Sequence, residues 1–329
     1  MEITDKKVLI ISDEDDATTE DVILWLKHFG QPFIRINRTD NFELKSISIE
    51  KDTDDFLLEN ENFKLCSNEI ASYWYRRGRL SLNRESIDMT ENPRLNYSLQ
   101  DSIDSEVREI VTYLHKIFES KKGIGSISEN STNKLFNLSK AKIAGFSVPD
   151  TLITSSRKNL LDFVMVHRKV LTKPISQGGL VYSEEDYRLD GGSVLIDKEF
   201  IESLPVEFPS SLFQGYIEKA YELRVFYMHG KCFASAIFSQ LDEKTKIDFR
   251  NYNFEKPNRT PPYKLPSKIE EQVISFMESV GMDSGSLDII VTPEKEFVFL
   301  EVNPVGQFFQ VSYPCNYYLE KKVAEYLSN

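Results

Sequence analysis

Apolar and polar positions recur with two periods along the chain, and the switches between them mark its elements. Lys7-Val8-Leu9-Ile10-Ile11 reads as a buried strand. A polar loop over 12–19 follows. Thr18, with Asp21 three residues on, makes a capping-box-like start for a helix that runs to about His28 and is stopped by Gly30. Phe33-Ile34-Arg35-Ile36 is the next strand, so the chain opens with the strand–helix–strand unit of an α/β domain. Ser72-Tyr73-Trp74-Tyr75-Arg76-Arg77 is a further strand-like run; its two arginines face either solvent or a site at the carboxyl end of the sheet. Val107, Ile110, Val111, Leu114 and Phe118 fall on one helical face. Residues 120–131, rich in Lys, Gly and Ser, read as a linker and a first domain boundary.

Beyond that boundary a helix opens near Asn133-Lys134-Leu135; Gly145 suits its C-cap and Pro149 prevents continuation. Residues 169–173 and 178–182 read as two strands around a glycine turn. Residues 221–228 and 231–238 flank His229-Gly230, where the glycine supplies a positive φ that a tight hairpin needs. A capped amphipathic helix over 267–280 is stopped by Gly281; a second hairpin pairs 287–292 with 297–303; a helix over 319–327 closes the chain. No internal repeat is visible. The expected domains are 1–125, 126–213 and 214–329.

Composition narrows the function. The 329 residues suffice for two or three packed domains, and 12% aromatic residues exclude general disorder. A net charge of -12 repels polyanions, which argues against a nucleic-acid partner, so any nucleotide site must be locally basic. Cys66, Cys232 and Cys315 form no CxxC and read as free thiols in a reducing compartment. The polar N-terminus lacks a signal-peptide core, and no apolar run approaches the ~20 residues of a membrane span. No membrane partner and a cytoplasmic location are the expectation. His28, His115, His167 and His229 lack metal-ligand spacing and read as structural.

The chemistry gathers in the second hairpin. Asp288 is the lone charge of its strand, and Glu301 and Asn303, two apart, share a face of the other. A turn centred on Glu294-Lys295 sets Asp288 opposite Glu301. Three oxygen ligands then converge, which is what hard Mg²⁺ takes together with waters and phosphates. The bland alternative is a solvent-facing polar row. Lys134, Lys173 and Lys219 each sit beside a structural break, and Lys173 precedes Pro174 and the loop Ser176-Gln177-Gly178-Gly179, whose backbone N–H groups could approach phosphate oxygens. Gln214-Gly215-Tyr216-Ile217 is an extended segment able to offer backbone groups to an adenine edge. Arg224 shares a strand face with Glu222; it suits a phosphate or carboxylate, or simply a salt bridge to Glu222. No Ser/His/Asp or Cys/His triad is visible.

These residues carry a resemblance. Lys134, Lys173 ahead of its Gly-rich loop, QGYIEK at 214–219, ELRVF at 222–226 and LDIIV…FLEVNPVGQF at 287–308 resemble, in order, the ATP-grasp superfamily. WYRR at 74–77, DFR at 248–250, GSLDIIV at 285–291 and CNYYLEKK at 315–322 look like its graspetide maturases of the grasp-with-spasm branch. These enzymes tie side-chain carboxylates of a ribosomal precursor peptide to hydroxyls or amines as ω-esters or ω-amides. The resemblance implies an α/β (α+β) ATP-grasp fold with an N-terminal α/β pre-ATP-grasp domain, a central lid domain and a C-terminal ATP/Mg-binding domain. It implies ATP on Lys134, Lys173, Lys219 and the hinge Gln214, Gly215, Tyr216 and Ile217, and Mg²⁺ on Asp288, Glu301 and Asn303. Arg224 and Arg250 would stabilise the acyl-phosphate transition state or the acidic substrate, and Asp248 would orient or deprotonate the nucleophile. The implied partner is a precursor peptide with a leader segment, and the family is compatible with a homodimer. The competing reading is an ATP-grasp carboxylate–amine ligase acting on a free amino acid or a protein C-terminus; a non-catalytic binding protein is the third.

Overall fold

The computed structural model describes residues 6–51, 53–84, 86, 91–129, 132–176, 181–182, 188–189, 192–239 and 258–329. The chain divides into two compact units, Met1–Ser131 with Tyr318–Asn329, and Thr132–Tyr317.

The first unit is built on β1 (Lys7–Ser12), β2 (Phe33–Asn37), β6 (Ile70–Tyr75) and β8 (Lys122–Ile124), a parallel sheet in the order β2-β1-β6-β8. Its helices are α1 (Ala17–His28), α2 (Pro93–Glu119) and α8 (Leu319–Ser328). Val8, Leu9, Ile10 and Ile11 are all buried because both faces of β1 are covered. Leu9 and Ile11 join Leu114, Ile117 and Phe118 of α2 and Phe42, Phe56 and Leu58 of a second sheet. That sheet, β3 (Asn41–Ile49), β4 (Asp54–Glu59), β5 (Lys64–Cys66) and β7 (Ser81–Leu82), runs β5-β4-β3-β7. Helix α8 meets α1 and β6, with Ser72 Oγ donating to the Leu327 carbonyl at 2.7 Å.

Three local expectations are corrected. Helix α1 is capped by Asp16, whose Oδ1 accepts the Thr19 N–H at 3.1 Å, rather than by Thr18. Helix α2 begins at Pro93 under an Asn92 cap, fourteen residues before its apolar stripe was expected to start at Val107. The supposed linker contains β8. Its glycines follow from that strand, since a Cβ on Gly123 would stand 2.7 Å from the Tyr73 carbonyl oxygen, and Gly125, just past the end of β8, turns the chain at φ +72.

The same core holds His115. Leu80 N–H donates to its Nε2 at 3.4 Å, so Nδ1 is the protonated nitrogen facing Tyr73 Oη. Burial drives this imidazole down to about 4. The unfolded chain therefore binds the proton first, and stability is lost as pH falls from about 6.5 toward 4, by at most about 3 kcal/mol. His115→Gln should flatten that part of the pH–stability curve, as urea unfolding at a series of pH values would show; an unchanged slope would exclude His115 as its source.

The second unit holds α3 (Lys134–Ile143) and two larger sheets. One is antiparallel, β13-β10-β14-β9, from β9 (Thr151–Ser156), β10 (Val170–Lys173), β13 (Val194–Ile196) and β14 (Glu207–Gly215). Helices α4 (Arg157–His167) and α5 (Lys198–Ser203) close its small core of Leu160, Val170, Ile201 and Phe213. Strand β10 pairs with β13 and β14, not with the segment expected over 178–182; there, β11 (Val181–Tyr182) pairs with β12 (Arg188–Leu189). The other sheet is β17-β16-β15-β18-β19, from β15 (Tyr221–Met228), β16 (Lys231–Ile237), β17 (Pro262–Tyr263), β18 (Ser284–Val291) and β19 (Phe297–Asn303). His229 (φ 45) and Gly230 (φ 78) make the turn between β15 and β16. One face of this sheet carries Leu223, Val225, Leu287, Ile289 and Phe299, packed on Val273, Phe276 and Met277 of α6 (Ser267–Ser279) and on α3. Helix α7 (Phe309–Cys315) completes the unit; the Phe308 that precedes it stacks on Phe226 at 4.9 Å, on the opposite sheet face. Among the described residues no helix is long and apolar enough to cross a membrane.

Candidate functional site

Strand alternation puts the core-facing aliphatic residues of β15, β16 and β18, such as Leu223, Val225 and Leu287, on one face and gathers Glu222, Arg224, Ser235, Ser286 and Asp288 on the other, beside Phe226 and Phe233. The register then sorts these into rows. Arg224 faces Ser235 on one side and Asp288 on the other, and Asp288 faces Glu301. The next row runs Phe233, Phe226, Ser286, Asn303. Asn303 is the last residue of β19, and the chain turns at once, with Gly306 N–H donating to the Asn303 carbonyl at 3.0 Å.

The expected juxtaposition of Asp288 and Glu301 is observed, by a different route. The loop closes one residue earlier than a turn centred on Glu294-Lys295, with Thr292 N–H on the Glu296 carbonyl and Lys295 at φ 66. A bulge then skips Leu300, between the Ile289–Phe299 and Asp288–Glu301 pairs, and restores the alignment.

Electrostatics hold the cluster. Arg224 donates Nη1–H to both Asp288 oxygens, 2.7 Å each, and Asn303 Nδ2 donates to Asp288 Oδ2 at 3.3 Å. Lys134 Nζ, one residue past the Asn133 cap of α3, stands 3.7 Å from Glu301 Oε2. Lys219 donates to Glu222 Oε1, which also accepts from Ser239 Oγ at 3.1 Å. The partner of Arg224 is therefore Asp288, and the Glu222–Arg224 salt bridge considered from sequence is replaced by Lys219–Glu222. Burial raises the Glu222 carboxyl, with Lys219 pulling the other way. The solvent-facing alternative for Asp288 fails, since it is only 6% exposed.

The remaining expected residues are placed as follows. Lys173 ends β10; the Gln177-Gly178-Gly179 part of its loop, and Asp248 and Arg250, lie outside the described residues. Gln214 and Gly215 end β14, with Gln214 Nε2 donating to Thr151 Oγ1 at 2.9 Å. The N–H groups of Gly215 and Tyr216 donate to the Asp150 and Lys169 carbonyls, and Ile217 follows them in the chain. Arg76 is not a solvated strand end. It is 2% exposed, and it and Arg77 each place Nε 3.1 Å from Asp16 Oδ2; burial pulls the Arg76 guanidinium down to about 10.

No protein-family model matches the sequence, and no curated protein matches it. Solved structures match along its whole length. The macrocyclase MdnC bound with precursor peptide MdnA, from Microcystis aeruginosa MRC, aligns at TM-score 0.76 and 24% identity over 98% of this chain and 99% of that one. A Chryseobacterium gregarium RiPP-associated ATP-grasp ligase in complex with ADP and a leader and core peptide aligns at TM-score 0.80 and 24% identity over 98% and 95%. The chain has the ATP-grasp fold. The ATP-grasp ligase PsnB, complexed with a phosphomimetic variant of its minimal precursor, Mg and ADP, aligns at TM-score 0.69 and 14% identity over 98% of both chains.

Within this ATP-grasp fold the donor set suits a hard cation. Among the described residues no group of three or more His, Cys, Asp and Glu is placed to hold a metal. Asp288, Glu301 and Asn303 instead offer two carboxylates and one amide, the partial oxygen set that Mg²⁺ takes when waters and phosphates complete its octahedron. Arg224 and Lys134 stand against the two carboxylates and offset their charge.

Proposed function

We propose that this chain is an ATP-dependent, ADP-forming peptide ligase. It activates side-chain carboxylates of a ribosomal precursor peptide as acyl phosphates and joins them to Thr or Ser hydroxyls or Lys amines, as macrocyclic ω-esters or ω-amides. The observation that carries this reading is the Arg224–Asp288–Glu301 row, with Asn303 and Lys134 beside it, on an ATP-grasp fold that matches peptide-bound ligases end to end.

In this reading Asp288, Glu301 and Asn303 hold Mg²⁺, and Lys134, Lys173, Lys219 and the segment Gln214, Gly215, Tyr216 and Ile217 hold ATP. Bound Mg-ATP supplies the phosphoryl group and offsets its charge. The protein orients the carboxylate for in-line attack and then holds the hydroxyl or amine against the activated carbonyl, so positioning supplies much of the rate. Arg224 and Arg250 face the anionic groups, and Asp248 orients the nucleophile. The 1–125, 126–213 and 214–329 divisions serve as N-terminal, lid and nucleotide-binding parts. The partner is a peptide with a leader segment, in a cytoplasmic setting where Cys66, Cys232 and Cys315 stay free; nucleic acid and membrane have no role, and a homodimer is compatible with the reading.

Two measurements test it. ADP release should depend on a Thr- and Glu-rich peptide; stimulation by a free amino acid instead would favour a carboxylate–amine ligase. Lys173→Ala should weaken ATP binding about tenfold or more, the loss of one charge-assisted contact. Calorimetry showing unchanged affinity would remove Lys173 from the nucleotide site.

A further inference from the structure

Buried polar side-chain atoms are nearly always hydrogen-bonded, so exceptions point to a missing partner. Among the described residues of the second unit such orphans are Asn137 Oδ1, Arg224 Nε, Ser235 Oγ and Ser286 Oγ, and the last three share the polar face of the large sheet. Ser235 and Arg224 are direct cross-strand neighbours, so their side chains stand side by side. Arg224 spends Nη1 on Asp288, leaving Nε–H over. On its other side Ser235 pairs with Pro262, which has no N–H to give. Ser235 and Ser286 are fully buried, as Ala234 and Ala236 on either side of Ser235 are nearly so. An alanine at 235 would fill this place without an orphan, and the hydroxyl has no partner among the described residues.

We propose that Ser235 is a substrate-positioning residue: its hydroxyl and the Arg224 Nε–H together hold one oxygen of the carboxylate to be activated. The inference rests on the ligase reading and adds a residue to it. A guanidinium edge and a hydroxyl, both shielded from water, select an oxyanion over a neutral amide. The row continues through Asp288 to Glu301, so a carboxylate held at Ser235 is in line with the metal-binding residues. Its second oxygen is then the nucleophile. It forms the bond to the γ-phosphorus as the bond from phosphorus to the β,γ-bridging oxygen breaks; the electron pair leaves on ADP, and no proton moves.

The test is binding rather than turnover. Fluorescence anisotropy would be measured with a labelled Thr/Glu peptide and with the same peptide carrying Gln for Glu, in the presence of Mg-ADP. Ser235→Ala should weaken binding of the Glu peptide about tenfold or more, the scale of one hydrogen bond to a charged group, and leave the Gln peptide unchanged. Its melting temperature should not fall, because the hydroxyl has no partner among the described residues to lose. Equal affinity of the two proteins for the Glu peptide would overturn the assignment, and so would an equal loss with the Gln peptide or a melting temperature lowered by several degrees. A wild-type chain that discriminates Glu from Gln through Ser235, yet releases no ADP, would overturn the ligase reading and leave the carboxylate site standing.

Discussion

Glu301→Gln should reduce peptide-dependent ADP release at least about a hundredfold, since a metal ligand's charge supplies several kcal/mol at the transition state. The substitution keeps the shape of the side chain and one carbonyl-type oxygen, and removes the charge that, in the ligase reading, balances Mg²⁺. Its structural cost is small. Glu301 is partly exposed, its contact with Lys134 is long at 3.7 Å, and glutamine keeps its length and hydrogen-bonding capacity, so turnover should fall far more than stability. Turnover and melting temperature therefore separate. Full turnover in a folded Glu301→Gln protein would remove the residue from the metal site.

Arg224→Met should have the opposite balance, with a large loss of stability as well as of activity. Asp288 is buried, and both its oxygens rest on Arg224, with Asn303 as a longer second contact. Without the guanidinium the buried carboxylate loses the charge partner that donates to both its oxygens, which costs about 3–5 kcal/mol. For a unit of this size that is a drop of roughly 6–20 °C in melting temperature. The pair can be tested as a cycle. Arg224→Met with Asp288→Leu should recover most of the lost stability, because both charges leave together, and none of the activity. Additive losses in the double variant would mean that the two residues do not depend on each other.

What could be read from the sequence, and what could not, follows from the range of the signals. The hairpin of β15 and β16 was legible because its turn, His229-Gly230, and both alternating strands are local. Strand β3 was not, since a bulge between Leu44 and Ser46 breaks its alternation after Phe42 and Leu44. Strand β8 has the composition of a linker because close approach to Tyr73 demands glycine. The N-terminal half of α2 is legible ahead of Val107, as Leu95, Leu99 and Ile103 continue the stripe by steps of four. Helix α7 was hidden by Pro314 inside it.

The candidate site divides in the same way. Asp288, Glu301 and Asn303 sit on two strands joined by a short loop, so their convergence could be worked out, although a shorter loop and a bulge had to offset each other. The partners of Arg224 and Glu222 depend on strand order, which sequence alone does not give. Glu222 shares a face with Arg224, but β15 is flanked by β18 and β16, so the acid that reaches the guanidinium comes from 64 residues away. Ser235 carried no signal at all. A serine between two alanines becomes informative only when Arg224 is placed beside it and its hydroxyl has no partner among the described residues.

The most direct test of the ligase reading is the mass of the peptide after incubation with this protein, ATP and Mg²⁺, using a Thr- and Glu-rich precursor with its leader. A loss of about 18 Da per ring, one water for each condensation of an activated acyl group, is the expected result, and it should vanish with Glu301→Gln. An unchanged mass, with ATP intact or hydrolysed only when a free amino acid is present, would contradict it.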